Sequence, residues 1–140
     1  MIRARVTGEP LSLDALREAV SRPGAGATVT FSGTTRNVDR LDYEAYAEMA
    51  EERIAAILRS CVERHGLEAA AAEHRVGAVP REQASVIVAV SAAHREQAFA
   101  GAREAIDRIK AEAPIWKVEV SGPPGGERRR RVEGTIPEAS

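Results

Sequence analysis

Two lysines, Lys110 and Lys117, bracket the segment KAEAPIWK, which also holds Pro114 and the chain's only tryptophan, Trp116. An amine works as an acid or base near neutrality when burial or a second ammonium lowers its pKa. Lys110 falls in the last turn of a predicted helix, where a cation also suits the negative end of the helix dipole, so the local pattern leaves a catalytic and a structural reading open. Lys117 falls on the strand beyond Pro114, with Trp116 on the opposite face as a packing anchor. A second cluster, SAAHRE (Ser91 to Glu96), lies where a strand gives way to a helix. The unpartnered N–H groups of a first helical turn, joined by His94 and Arg95, would bind a phosphate or carboxylate. A capping His94 beside a solvated Arg95 is the alternative. In GTTRN (Gly33 to Asn37), Arg36 follows Thr34 and Thr35 in a polar loop after an apolar strand. A guanidinium there can clamp an anion through two parallel hydrogen bonds, although taken alone an exposed loop arginine is the plainer reading.

Other residue types point away from chemistry. Cys61 falls on the apolar face of a helix and reads as a small buried hydrophobe. His65 and His74 have no Cys or acidic partner at ligand spacing, so no metal is expected, and no Gly-rich phosphate loop or dinucleotide fingerprint occurs, so no cofactor is expected either. The run Arg128 to Arg131 lacks the aromatic residues of a single-strand platform and reads instead as a solvated strand edge or a contact with an anionic ligand or partner. Across 140 residues the formal net charge is −1, which gives no global attraction to nucleic acid or to a membrane surface. The single cysteine excludes an internal disulfide, and no apolar run is long enough to cross a bilayer. A cytoplasmic globular domain over residues 1–140 is the expectation, with 121–140 as a flexible turn and basic tail.

The elements that must position these groups follow from periodicity. Ile2, Ala4 and Val6 alternate as a strand, and Ser12 caps a short helix to Val20. Ala27 to Ser32 is a strand ended by Gly33, and Leu41 to Tyr46 is another. A long helix is predicted from Ala47 to His65, its stripe formed by Met49, Arg53/Ile54, Ile57/Leu58 and Cys61/Val62, with Gly66 as its stop. A strand reaches His74 to Val76. SVIVAVS (Ser85 to Ser91) is apolar on both faces and reads as a central strand. A second long helix runs from His94 or Arg95 to Glu112, with Phe99, Ala102, Ile106 and Ile109 inward and Pro114 beyond its end. Ile115 to Val120 is a further strand. Strands that follow one another without a helix favour an α+β fold with an antiparallel or mixed sheet.

VTFSGTTRN, LDYEAYAEMA, HRVG, VSAAHR and KAEAPIWK, in this order, resemble the large, catalytic subunit family of molybdopterin synthase. The resemblance runs from about Ala27 to Lys117, and SAAHR followed by K-x-x-A-P-x-W-K is its most specific part. It implies an α/β hammerhead-type fold and a homodimer carrying one small ubiquitin-like subunit on each outer end, a 2:2 heterotetramer. The small partner's C-terminal Gly-Gly thiocarboxylate would enter the large subunit and deliver two sulfurs. Cyclic pyranopterin monophosphate would thereby become molybdopterin, a step of molybdenum cofactor biosynthesis. By resemblance, Lys110 is the essential lysine and Lys117 its companion. Arg36, His94 and Arg95 hold the pterin and its phosphate, Thr34 and Thr35 line the same loop, and Val118 and Glu119 continue the substrate-contacting strand. Sulfur arrives with the partner, so Cys61 needs no catalytic role. The chain departs from the family pattern in the short stretch after Arg36 and in GERRRRVEG, which lacks the usual tryptophan; one of Arg128 to Arg131 would reach a neighbouring subunit's site. A non-catalytic domain that senses a phosphorylated metabolite is the competing expectation.

Overall fold

The structure, a computed structural model, describes residues 1–132. Its elements run β1 (Ile2–Thr7), α1 (Leu13–Ala19), β2 (Ala27–Thr34), β3 (Arg40–Ala45), α2 (Ala47–His65), β4 (Leu67–Arg75), β5 (Gly77–Pro80), β6 (Ala84–Ala92), α3 (Arg95–Glu112), β7 (Ile115–Ser121) and β8 (Arg128–Val132). This is the expected α+β class, built from two four-stranded sheets. The first has the order β1-β4-β6-β2, parallel between β1 and β4 and antiparallel elsewhere. The second, β5-β3-β7-β8, is antiparallel throughout.

Layering explains the apolar patterns. Helices α2 and α3 cover one face of the first sheet through Ile54, Ile57, Leu58, Ala102, Ala105 and Ile109, which meet Ala70, Ala72, Val88 and Val90. On the other face, Leu16 and Val20 from the α1 region meet Ala69, Ala71, Ile87 and Ala89. Strands β4 and β6 are therefore buried on both sides, which accounts for their continuous small and β-branched composition. Ser12 caps α1 by accepting the Ala15 N–H at 3.2 Å. Helix α2 ends at Gly66, whose φ of 64° is the left-handed conformation that closes a helix at little cost to glycine. Gly26 accompanies the exit of β6: its N–H donates to the Ala92 carbonyl at 3.0 Å, and a Cβ on it would lie 2.5 Å from the Ala93 carbonyl oxygen.

Three expectations are corrected. Strand β2 runs through Gly33 to Thr34, with an irregularity in register between those two residues. Met49 and Phe99, placed on the inward stripes by spacing, are exposed at 58% and 63%. Arg53 also leaves the stripe and pairs with Glu112 at 3.8 Å. Arg128 to Arg131 form β8, the solvated edge strand on β7 that is one of the readings of this run; residues 133–140 of the predicted tail lie outside the described residues. Among the described residues no helix is long and apolar enough to cross a membrane, and no group of three or more His, Cys, Asp or Glu is placed to hold a metal ion.

Candidate active site

The two sheets and the C-terminal end of α3 meet around a cavity of about 110 Å³. Lys110 reaches it from the last turn of α3 and Lys117 from β7. The chain between them folds back over six residues: Ala113 N–H closes the helix on the Ile109 carbonyl at 3.0 Å, buried Pro114 prevents its continuation, and β7 starts at Ile115. Lys117 is directly opposite Tyr43 of β3, so the two side chains share a face, and Tyr43 also lines the cavity.

The electrostatics fit an amine that exchanges protons. Lys110 as a residue is exposed on the helix surface, yet its ammonium sits partly out of water against the cavity wall. Desolvation first, and the nearby Lys117 second, lower its pKa from the ordinary lysine value. Tyr43 is buried, and burial raises the pKa of its phenol; its hydroxyl donates to Ser85 Oγ at 3.0 Å, and Ser85 in turn donates to the Gly33 carbonyl at 3.3 Å. His74 completes the wall, edge-on to Tyr43 with ring centroids 4.9 Å apart. Trp116 is half-buried, packs edge-on against exposed Tyr46 and also lines the cavity, so it does more than anchor its strand.

The other candidates are distributed unevenly. Arg36 is exposed at the same end of the first sheet as the lysines, in a loop stapled to the turn before β6. Thr35 N–H donates to the Gln83 carbonyl at 3.1 Å and Glu82 N–H to the Thr35 carbonyl at 2.9 Å. Thr35 itself is buried with its hydroxyl on the Val79 carbonyl, so it holds the loop, while Thr34 is exposed. Glu119 shares the Lys117 face but accepts from Arg130 Nε and Nη2 at 3.0 and 2.7 Å; Val118 is half-buried on the opposite face. His94 and Arg95 are exposed at the start of α3, and His94 makes no side-chain cap, which leaves first-turn N–H groups open to a ligand. Lys110 lies fifteen positions beyond Arg95 along α3, about 22 Å at 1.5 Å per residue. Within one chain, Arg36, Lys110 and Lys117 therefore share one end of the molecule and His94 and Arg95 mark the other.

Cys61 is fully buried, and desolvation pushes its thiol up to about 11, so it is no nucleophile. Sequence reasoning gave no role to Tyr43, His74 and Ser85. Tyr43 shares the inward face of β3 with Leu41, a signal present in the alternation of LDYEAY.

The chain is an α+β protein in which two amines converge on one cavity and the uncapped start of a long helix lies elsewhere. The family profile described as MoaE protein matches residues 6–112. The molybdopterin synthase catalytic subunit of Oryza sativa subsp. indica is 51% identical over 102 residues, covering 69% of this chain and 53% of the plant protein. The human molybdopterin synthase catalytic subunit is 42% identical over 120 residues, covering 81% and 64%. The crystal structure of molybdopterin synthase from Staphylococcus aureus superposes with a TM-score of 0.82 at 33% identity, covering 93% of this chain and 98% of that one. The chain belongs to the MoaE family. It spans about half the length of the rice relative and 64% of the human one.

Proposed function

We propose that this chain is a molybdopterin synthase catalytic subunit. It converts cyclic pyranopterin monophosphate into molybdopterin, taking two sulfurs for the dithiolene from the C-terminal Gly-Gly thiocarboxylate of a small ubiquitin-like partner while the cyclic phosphate opens. The observation that carries this reading is the convergence of Lys110 and Lys117 on one cavity, with the pKa of Lys110 lowered. Two ammonium groups attract the anionic tail, and a lysine of lowered pKa can take and return protons as carbon–sulfur bonds form and the phosphate ester opens.

The remainder of the substrate needs further donors. Arg36 supplies one at the same end, and His94 and Arg95 lie about 22 Å away along α3. The reading includes a homodimer in which a second copy brings its own His94 and Arg95 to this cavity, giving two composite sites in a 2:2 assembly with the small partner. Reconstitution with a thiocarboxylated small subunit tests the assignment. Lys110→Ala should lower turnover at least about 100-fold with an unchanged fold, the scale of a lost acid–base group. Full-rate conversion by the folded variant would refute it.

A further inference from the structure

Two connections pass between the sheets side by side. Residues 35–39 lead from β2 of the first sheet to β3 of the second, and residues 81–83 lead from β5 of the second back to β6 of the first. The two are bonded to each other. Thr35 N–H donates to the Gln83 carbonyl at 3.1 Å, Glu82 N–H to the Thr35 carbonyl at 2.9 Å and Arg81 N–H to the Asp39 carbonyl at 3.1 Å. Arg36, Asn37 and Val38 are the residues left between these pins, and Val38 packs against the main core. Asn37 takes the left-handed conformation, φ 63°, which asparagine tolerates better than most residues.

Side chains add a second set of bonds where this excursion rejoins β3. Arg81 Nε donates to the Val38 carbonyl at 3.0 Å, and its Nη2 donates to Asp39 Oδ1 at 2.9 Å. The other oxygen of that carboxylate, Oδ2, accepts the Gly122 N–H at 2.9 Å, and Asp39 N–H donates to the Val120 carbonyl at 3.2 Å. Asp39 thereby joins the 81–83 turn to the end of β7, the strand that carries Lys117. Arg81 and Asp39 are 56% and 53% exposed, and an ion pair so exposed adds little to global stability. Its bonds converge instead on one short stretch of backbone, so what they determine is local: the path of the chain through Arg36.

We propose that Arg81 and Asp39 are positioning residues for Arg36. The Arg81 guanidinium and the Asp39 carboxylate hold residues 36–38 in one path before any ligand arrives, so Arg36 meets an anion from a preformed loop and does not close upon it. The consequence for substrate rests on the reading of Arg36 as a substrate donor; the preformed loop itself does not. A loop ordered in advance lowers the entropy lost on binding. With the clamp cut, the loop must be ordered as the ligand binds, which weakens binding and leaves the reacting groups untouched.

Two measurements test this. In the free protein, ¹⁵N relaxation should give Arg36 and Asn37 backbone order parameters of about 0.85, the value of a rigid chain, falling below about 0.6 in Arg81→Ala and in Asp39→Ala. Wild-type values already below about 0.6, or values unchanged in both variants, would overturn the preformed loop. In the complex with the thiocarboxylated small partner, Arg81→Ala should raise KM for cyclic pyranopterin monophosphate about tenfold, the scale of ordering one residue's backbone, with kcat nearly unchanged. The same change made in Arg36→Ala should raise KM no further, because the group it positions is gone. An equal further rise in that background, or no rise in Arg81→Ala alone, would overturn the positioning role. A KM left unchanged by Arg36→Ala alone would remove the reading of Arg36 as a substrate donor, and the order parameters would still decide the loop.

Discussion

Acidification should destabilise this protein through His74 before its carboxylates respond. The ring is buried and neutral in the folded chain, with its pKa lowered from 6.5 to about 4, burial being the largest cause. Between those values the unfolded chain binds the proton and the folded chain does not, so stability falls as pH drops through 6.5 and the loss is complete near pH 4. At about 1.4 kcal/mol per pKa unit, the full effect is roughly 3 kcal/mol, of which about 2 kcal/mol is lost by pH 5. That is a sizeable part of the ~5–15 kcal/mol of a typical domain. Urea denaturation at fixed protein concentration, in steps from pH 7 to pH 5, measures it. The carboxylates of Glu104, Glu112 and Asp42, all held below their usual values by ion pairs with His65, Arg108, Arg40 or Arg129, respond only further into acid. The informative comparison is His74→Gln, which starts less stable but should lose little over the same range. Parallel pH dependences in the two proteins would refute the reasoning, because then His74 would not carry the linked proton.

Three further outcomes are expected. Lys117→Gln should raise the pKa of Lys110 only part of the way back, since desolvation is the larger cause and stays, and the basic limb of a pH–rate profile should move up accordingly. Gly26→Ala should cost about 1–3 kcal/mol in chemical denaturation, because the new methyl meets the Ala93 carbonyl and not a side chain that can turn away. Ser12→Ala should cost about 1 kcal/mol in the same assay through loss of the α1 cap.

The long elements were legible because their signals are local and agree with one another. The stripe of α2 and the glycine after it give Ala47–His65 directly, and the doubly apolar run around Val86 to Val90 marks the buried centre of the first sheet. Short edge strands carry no such signal: β5 has four residues, and β8 reads as a charge run until Glu119 and Asp42 are seen to pair with Arg130 and Arg129. Met49 and Phe99 fit their helical stripes in spacing but stand beyond the width that the sheet covers. The lysine pair was visible in KAEAPIWK because the helix end, Pro114 and the strand start all fall within its eight residues. His74 was hidden, since its surroundings, Arg75, Tyr43 and two lysines, are brought from three different strands and a helix. The separation of Arg95 from Lys110 follows from helix rise alone, whereas the second copy proposed to close that gap leaves no signal in the pattern of one chain.

That gap gives the most direct test. Lys110→Ala and Arg95→Ala, each inactive alone, should be mixed in equal amounts under conditions that exchange subunits, then assayed with the thiocarboxylated small partner. If each site joins Lys110 of one copy to Arg95 of the other, half of the dimers are mixed and each mixed dimer holds one intact site, restoring about a quarter of wild-type turnover. If both residues act within one chain, or if Arg95 has no part in the site, the mixture cannot show this recovery. Recovery to about a quarter is the predicted result; no activity above the two parents in a mixture shown to have exchanged would contradict the composite site.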